Sequence, residues 1–96
     1  MIKKDLIGKI QEALPEFSKK DIECAADILF ESMKRALLRG EKIEIRNFGV
    51  FGITERESRI GRNPKTGAEV YVPAKNIVFF KTGKDLMEMV NRGQGL

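Results

Sequence analysis

Ninety-six residues, 42% apolar and 33% charged, make one small domain with a modest core, and a formal charge of +4 (pI about 9.4) makes it mildly basic. A single cysteine and no histidine exclude an internal disulfide, any Cys/His zinc site and the commonest general base, and lone Cys24 suits a reducing cytosol. No apolar run approaches the ~20 residues needed to cross a bilayer, and Met1-Ile2-Lys3-Lys4-Asp5 has no apolar stretch behind its lysines, which argues against a secretory signal.

Leu6, Ile7, Ile10 and Leu14 recur at helical spacing and stop at Pro15, which predicts a first helix. Ser18 with Asp21 three residues later reads as the cap of a second. Its stripe is Ile22, Ala26, Leu29, Met33, Ala36 and Leu37, and Gly40 closes it. Ala25, Ile28, Phe30 and Leu38 lie off that stripe, so this helix needs more than one partner. Cys24 within it reads as a small core residue, not a nucleophile.

After Gly40 the apolar period becomes two. Lys42-Ile43-Glu44-Ile45-Arg46 alternates as a strand, and Asn47 tolerates a left-handed turn. Phe48-Gly49-Val50-Phe51 starts a second strand, expected to run on to Arg59 or Ile60. Asn63, Pro64 and Gly67 form a tight-turn sequence, from which Glu69–Val72 and then Ile77–Phe80 return. Thr82 with Asp85 predicts the cap of a short last helix holding Leu86, Met89 and Val90, and Asn91 to Leu96 is expected to fray.

Core-forming residues are concentrated in 6–51 and 77–90, while 53–76 is too polar to join them. The remainder, roughly seventy residues, is a size at which one core rarely supplies more than ~3–5 kcal/mol. With disulfides and metals excluded, association is the common remedy, which predicts an obligate dimer. The polar stretch then reads as a two-stranded arm, its free edges consistent with Pro73. Residues 53–80 carry five cations and three acids, and Arg59 to Gly67 holds three cations and no acid. Such a ribbon suits a grooved polyanion, because arginine and lysine pair with phosphates and reach base-edge acceptors. Strands ~4.8 Å apart entering a minor groove ~6 Å wide would widen it, which bending the duplex accomplishes. Pro64, rigid and apolar at the turn, could wedge between base pairs, although Asn-Pro-Lys-Thr-Gly is also an ordinary hairpin turn. The three-residue spacing of Arg56, Arg59 and Arg62 breaks alternation and calls for a bulge or strong twist to gather them on one surface.

The block Gly61-Arg62-Asn63-Pro64-Lys65-Thr66-Gly67, then Ala74 and Phe80-Lys81-Thr82-Gly83-Lys84-Asp85-Leu86, with Gly40-Glu41 and Phe48-Gly49-Val50-Phe51, resembles the bacterial HU/integration host factor family of DNA-bending proteins. The resemblance covers essentially the whole chain. It implies an α+β fold: an intertwined dimer with a helical body, a short antiparallel sheet saddle and a protruding two-stranded β-arm per subunit. Within 1–96 it implies a helical dimerisation part (1–40), a sheet with an arm at about 55–75 (41–81), a C-terminal helix (82–91) and a frayed tail (92–96). It also implies minor-groove binding to double-stranded DNA with Pro64 intercalating at each of two kinks, a mode taken from the family. Arg56, Arg59, Arg62, Asn63, Pro64, Lys65 and Lys75 would be DNA contacts of the arm. Lys3, Lys4, Lys81, Gly83 and Lys84 would meet phosphates, the last helix presenting free backbone N–H groups. Gly-Glu-Lys-Ile-Glu-Ile-Arg at 40–46 is more similar to the integration host factor beta subunit than to HU, which implies base readout by Arg46 supported by Glu44. Alternating Lys42, Glu44 and Arg46 is equally the solvent face of an amphipathic strand. The sequence departs from the family at Asn47, where glycine is usual, and at Lys4, where Ser or Thr often caps the first helix.

Catalysis finds no support. Gly83-Lys84 is followed by Asp85 and position 78 is Val, so no phosphate-binding loop forms; Ser18, Ser32 and Ser58 lack an activating base; Glu55 and Glu57 would be solvated. No metal, cofactor, membrane or small-molecule substrate is expected. The expected role is compaction of DNA and assistance to recombination, replication and transcription in a cytoplasmic nucleoid, either as a sequence-neutral homodimer or as half of a selective heterodimer with a paralogous subunit. The alternative is a module whose basic arms grip a protein. Sedimentation across a wide dilution range is predicted to show a folded dimer that loses structure as it dissociates; a folded, concentration-independent monomer would contradict the dimer.

Overall fold

The isoleucines and leucines of the first segment fold as their spacing predicts. In the computed structural model, which describes residues 1–93, Lys3–Ala13 is helical (α1) and ends with Leu14 as C-cap, ahead of Pro15. No side chain caps α1. Instead the Asp5 carboxylate accepts the Ile2 N–H at 2.9 Å, and its charge sits in the first turn, where the helix dipole favours it. Helix α2, Lys19–Leu38, begins where Ser18 Oγ accepts the Asp21 N–H at 3.1 Å. It ends in a Schellman motif: Gly40, at φ +75°, donates to Leu37 O and Glu41 donates to Ala36 O.

Two compact units divide the described chain, Met1–Arg35 and the residues from Ala36 onward. In the first, Ile7 and Ile22 are the buried apolar residues. Leu6, Ile10, Leu14, Phe17, Leu29 and Phe30 remain 38–58% exposed and line an apolar groove between α1 and α2. Cys24 is exposed, contrary to the expectation of a core position. The reason is its place on α2: Lys20, Asp27 and Glu31 are its i−4, i+3 and i+7 neighbours, so it belongs to the charged face.

In the second unit β1 (Ile43–Ile45) turns through Asn47, at φ +66°, into β2 (Gly49–Arg56), so asparagine serves the left-handed position as expected. Strand β2 pairs antiparallel with β5 (Lys75–Thr82), giving a sheet ordered β1-β2-β5. Beyond it β3 (Arg59–Arg62) pairs with β4 (Glu69–Val72). The second strand therefore does not run unbroken to Arg59 or Ile60; it breaks at Glu57–Ser58, opposite Pro73–Ala74. Pro73 has no N–H to give a ladder, which accounts for the interruption there. Two residues are skipped on each strand, so the register that pairs Arg56 with Lys75 resumes unshifted as Arg59 with Val72. The hairpin needs no bulge.

The sheet root is held by rings lying over glycines. Phe80 packs on Phe48 and Phe51 with centroids 5.4 and 4.7 Å apart in tilted geometry. The Phe80 ring lies over buried Gly49, where a Cβ would come 2.6 Å from the ring and 2.5 Å from Lys81 O. Thr82 does not cap the last helix, because pairing with Gly49 keeps it in β5; Gly83 is the N-cap of α3, Lys84–Arg92. Glycine fits because a Cβ would come within 3.3 Å of the Phe48 carbonyl. Arg92 is still helical, Gly93 closes the helix at φ +67°, and the rest of the expected frayed tail, 94–96, lies outside the described residues. No described helix is long and apolar enough to cross a membrane. Gly49→Ala is expected to lower stability by about 1–3 kcal/mol through overpacking, read as a fall in thermal midpoint with the helical CD signal retained before melting.

Candidate nucleic-acid interface

The tip of the hairpin is built by its own polar groups. Asn63 Oδ1 accepts the Lys65 N–H at 2.8 Å, and the Asn63 carbonyl accepts the Gly67 N–H at 2.7 Å, a five-residue turn closed by Gly67 at φ +72°. Thr66 Oγ1 accepts the Ala68 N–H at 3.2 Å, and the Arg62 guanidinium donates to the Gly67 carbonyl at 3.2 Å. These bonds fix the backbone on both sides of Pro64 and leave its ring exposed at the end of the ribbon. Thr66 did not stand out in the sequence, although a hydroxyl two residues before an N–H in a turn is a recognisable local signal.

The arm is not folded inward: Thr54–Ile60 and Arg62–Tyr71 are exposed. Arg56, Arg59 and Lys75 line one shallow depression at its base, with Pro73 and Val72. Two of the three arginines are thereby gathered without a bulge, while Arg62 stands apart at the tip. Among the described residues the ion pairs are Lys3–Asp27, Lys34–Glu31, Arg35–Glu31 and Arg39–Glu41. None involves an arm cation, so the charge of the ribbon is open to solvent.

A second shallow depression collects Glu44, Arg46, Asn47, Gly83 and Lys84. Residues 44–46 and the start of α3, distant in sequence, meet there because Gly83 N–H donates to Phe48 O at 2.8 Å. That bond occupies the Gly83 N–H itself; the unused donors of the helix start are those of the next residues, beginning with Lys84. Lys81 is exposed on β5, opposite Val50. Lys4 is exposed on α1, whereas Lys3 is engaged by Asp27, a partner 24 positions away that no sequence pattern announces. The hydrogen bond to Asp27 raises the Lys3 ammonium above its ordinary pKa, against the opposing effect of desolvation and with the help of the Asp27 and Glu23 charges. No group of three or more potential metal ligands occurs among the described residues.

Comparison with known proteins gives this arrangement its place. The model of the family described as "Bacterial DNA-binding protein" matches residues 1–91. The chain belongs to that family. Its members, the HU and integration host factor proteins, are non-enzymatic. The integration host factor beta subunit of Nitrosomonas europaea is 45% identical over 93 residues, covering 97% of this chain and 89% of that protein. Its counterpart in Nitrosomonas eutropha is 45% identical over 91 residues, 95% and 87% of the two chains. Among solved structures, the Anabaena HU–DNA cocrystal superposes with a TM-score of 0.82 at 32% identity, covering 94% of this chain and 97% of that one. The α+β architecture of three helices, antiparallel strands and an extended hairpin arm is therefore that of the family.

Proposed function

We propose that the chain is an architectural nucleoid protein that binds double-stranded DNA through the minor groove and bends it. The observation that carries this reading is the arm: one unshifted hairpin register from Gly49 to Arg62 ends in a hydrogen-bonded tip that exposes Pro64, with cations along its length that form no ion pair among the described residues. A ribbon of that width overfills an undistorted minor groove, so binding and widening are one event. Pro64, held rigidly at the leading end, is the residue that would enter between base pairs, unstacking them at a cost of a few kcal/mol per step. Arg56, Arg59 and Lys75 at the base, with Arg62, Asn63 and Lys65 near the tip, would hold the ribbon in the groove. Lys3, Lys4, Lys81, Lys84 and the N–H groups following Gly83 would take the flanking phosphates; for Lys3 this means exchanging Asp27 for DNA.

The working unit is an obligate dimer. Supporting this are the scarcity of buried apolar side chains among the described residues, Ile7 and Ile22, and the apolar groove of the first unit, which a second chain would fill to complete a body carrying two arms. Whether that second chain is identical or paralogous decides between sequence-neutral and selective binding. The shared depression of Glu44 and Arg46 favours the selective form, with Arg46 reading a base edge and Glu44 restraining it. Compaction of DNA and support of recombination, replication and transcription in the cytoplasmic nucleoid follow from bending.

The test is a bend-sensitive competition gel over a salt series. Affinity should fall linearly on a log–log plot between about 50 and 200 mM salt; binding indifferent to salt would favour a protein partner for the arms. At low salt Pro64→Ala should reduce the bend more than the affinity, and an unchanged bend angle would remove the wedge.

A further inference from the structure

Ile60 and Tyr71 are direct cross-strand partners in the β3–β4 ribbon, and they are 62% and 65% exposed. The register puts them on one face with Arg62 and Glu69, while Arg59, Gly61, Val70 and Val72 share the other. The two faces differ. On the second, Val72 is half-buried beside Gly61, where a Cβ would meet it at 3.5 Å, and Val70 is 47% exposed, so the open apolar surface there is a single valine. On the first, an aromatic and a β-branched side chain stand open on a ribbon that has no second layer to cover them. Cations bracket the pair along the arm: Arg56, Arg59 and Lys75 toward the base, Arg62 and Lys65 toward the tip. Arg62 shares the face of the pair, and Arg59 stands on the other, from which a long side chain can reach around so thin a ribbon, so the pair lies along the path of a polyanion that both cations hold.

We propose that Ile60 and Tyr71 form an apolar contact with the deoxyribose walls of bound duplex DNA, so that the face carrying them is the one turned to the nucleic acid. The proposal rests on the DNA-binding reading above and adds which face of the ribbon is used and by which uncharged residues. Sugar edges offer C–H surface to the Tyr71 ring and the Ile60 side chain, and the Tyr71 hydroxyl can donate to a neighbouring phosphate oxygen. Because apolar burial releases no counterions, this contact adds affinity without steepening the salt dependence.

Tyr71 is the only tyrosine in the chain, so 3-fluorotyrosine labelling gives a 19F signal from this position alone. In the free protein a neutral nitroxide should broaden that signal strongly. With saturating duplex DNA the signal should shift and become protected from the nitroxide. Tyr71→Thr and Ile60→Thr keep strand-favouring residues in the ribbon, and each should weaken binding about tenfold with an unchanged slope of log K against log salt. A wild-type chain that binds DNA with its full salt slope while the 19F signal stays exposed would overturn the proposal and leave the DNA-binding reading standing. So would variants that lose affinity while the bound-state signal remains open to the nitroxide, since the pair would then only stiffen the arm. Failure of the wild-type chain to bind duplex DNA would overturn the DNA-binding reading itself.

Discussion

A ribbon two strands wide has no second layer to pack against, and its shape depends on the ladder that carries it out of the sheet. That ladder begins where Gly49 and Thr82 pair under the Phe80 ring and keeps one register to Arg62 and Glu69, across the gap at Pro73. A shift of one residue would turn every side chain of the arm to the opposite face. The faces carrying Ile60 and Tyr71 on one side, and Arg59 and the valines on the other, are therefore set at the sheet root, more than ten residues from the tip. Flexible cations can reach around such a ribbon; a rigid proline and an exposed aromatic ring depend on the register being right.

The two units are limited by different shortages. The first has ample apolar surface and too little of it covered, so its stability has to come from association. The arm has almost no apolar interior, and what holds it is hydrogen bonding, cross-strand pairing and, at the tip, the local bonds of Asn63, Thr66 and Arg62. A polyanion can supply what the arm lacks, neutralising its cations and covering its exposed pair. Folding of the body and ordering of the arm are in this sense satisfied by two different partners, a second chain and a nucleic acid.

Features encoded by neighbours in sequence were legible in the sequence. The Ser18 cap, the Gly40 terminator, the left-handed Asn47 and the Asn63–Gly67 turn each depend on groups within about five residues of one another, and each is found where expected. The features that were missed depend on partners far away. Thr82 carries a capping pattern, yet pairing with Gly49 holds it in a strand and passes the N-cap to Gly83. The break at Glu57–Ser58 reflects the proline facing it across the hairpin. Cys24 falls on the charged side of α2, which composition alone does not reveal. The Lys3–Asp27 pair and the meeting of Arg46 with Lys84 exist only once the chain has folded. Much of the candidate site was visible as residue types; its grouping into two depressions and one tip was not.

On the reading proposed above, paired chains place two stiff arm tips on one duplex and bend it. The most direct measurement is energy transfer between dyes at the two ends of a short duplex, recorded as the protein is titrated and referred to the number of chains bound. The ends are expected to approach as two chains bind together. Full occupancy by two chains with no approach of the ends, or bending that saturates with a single chain, would contradict it.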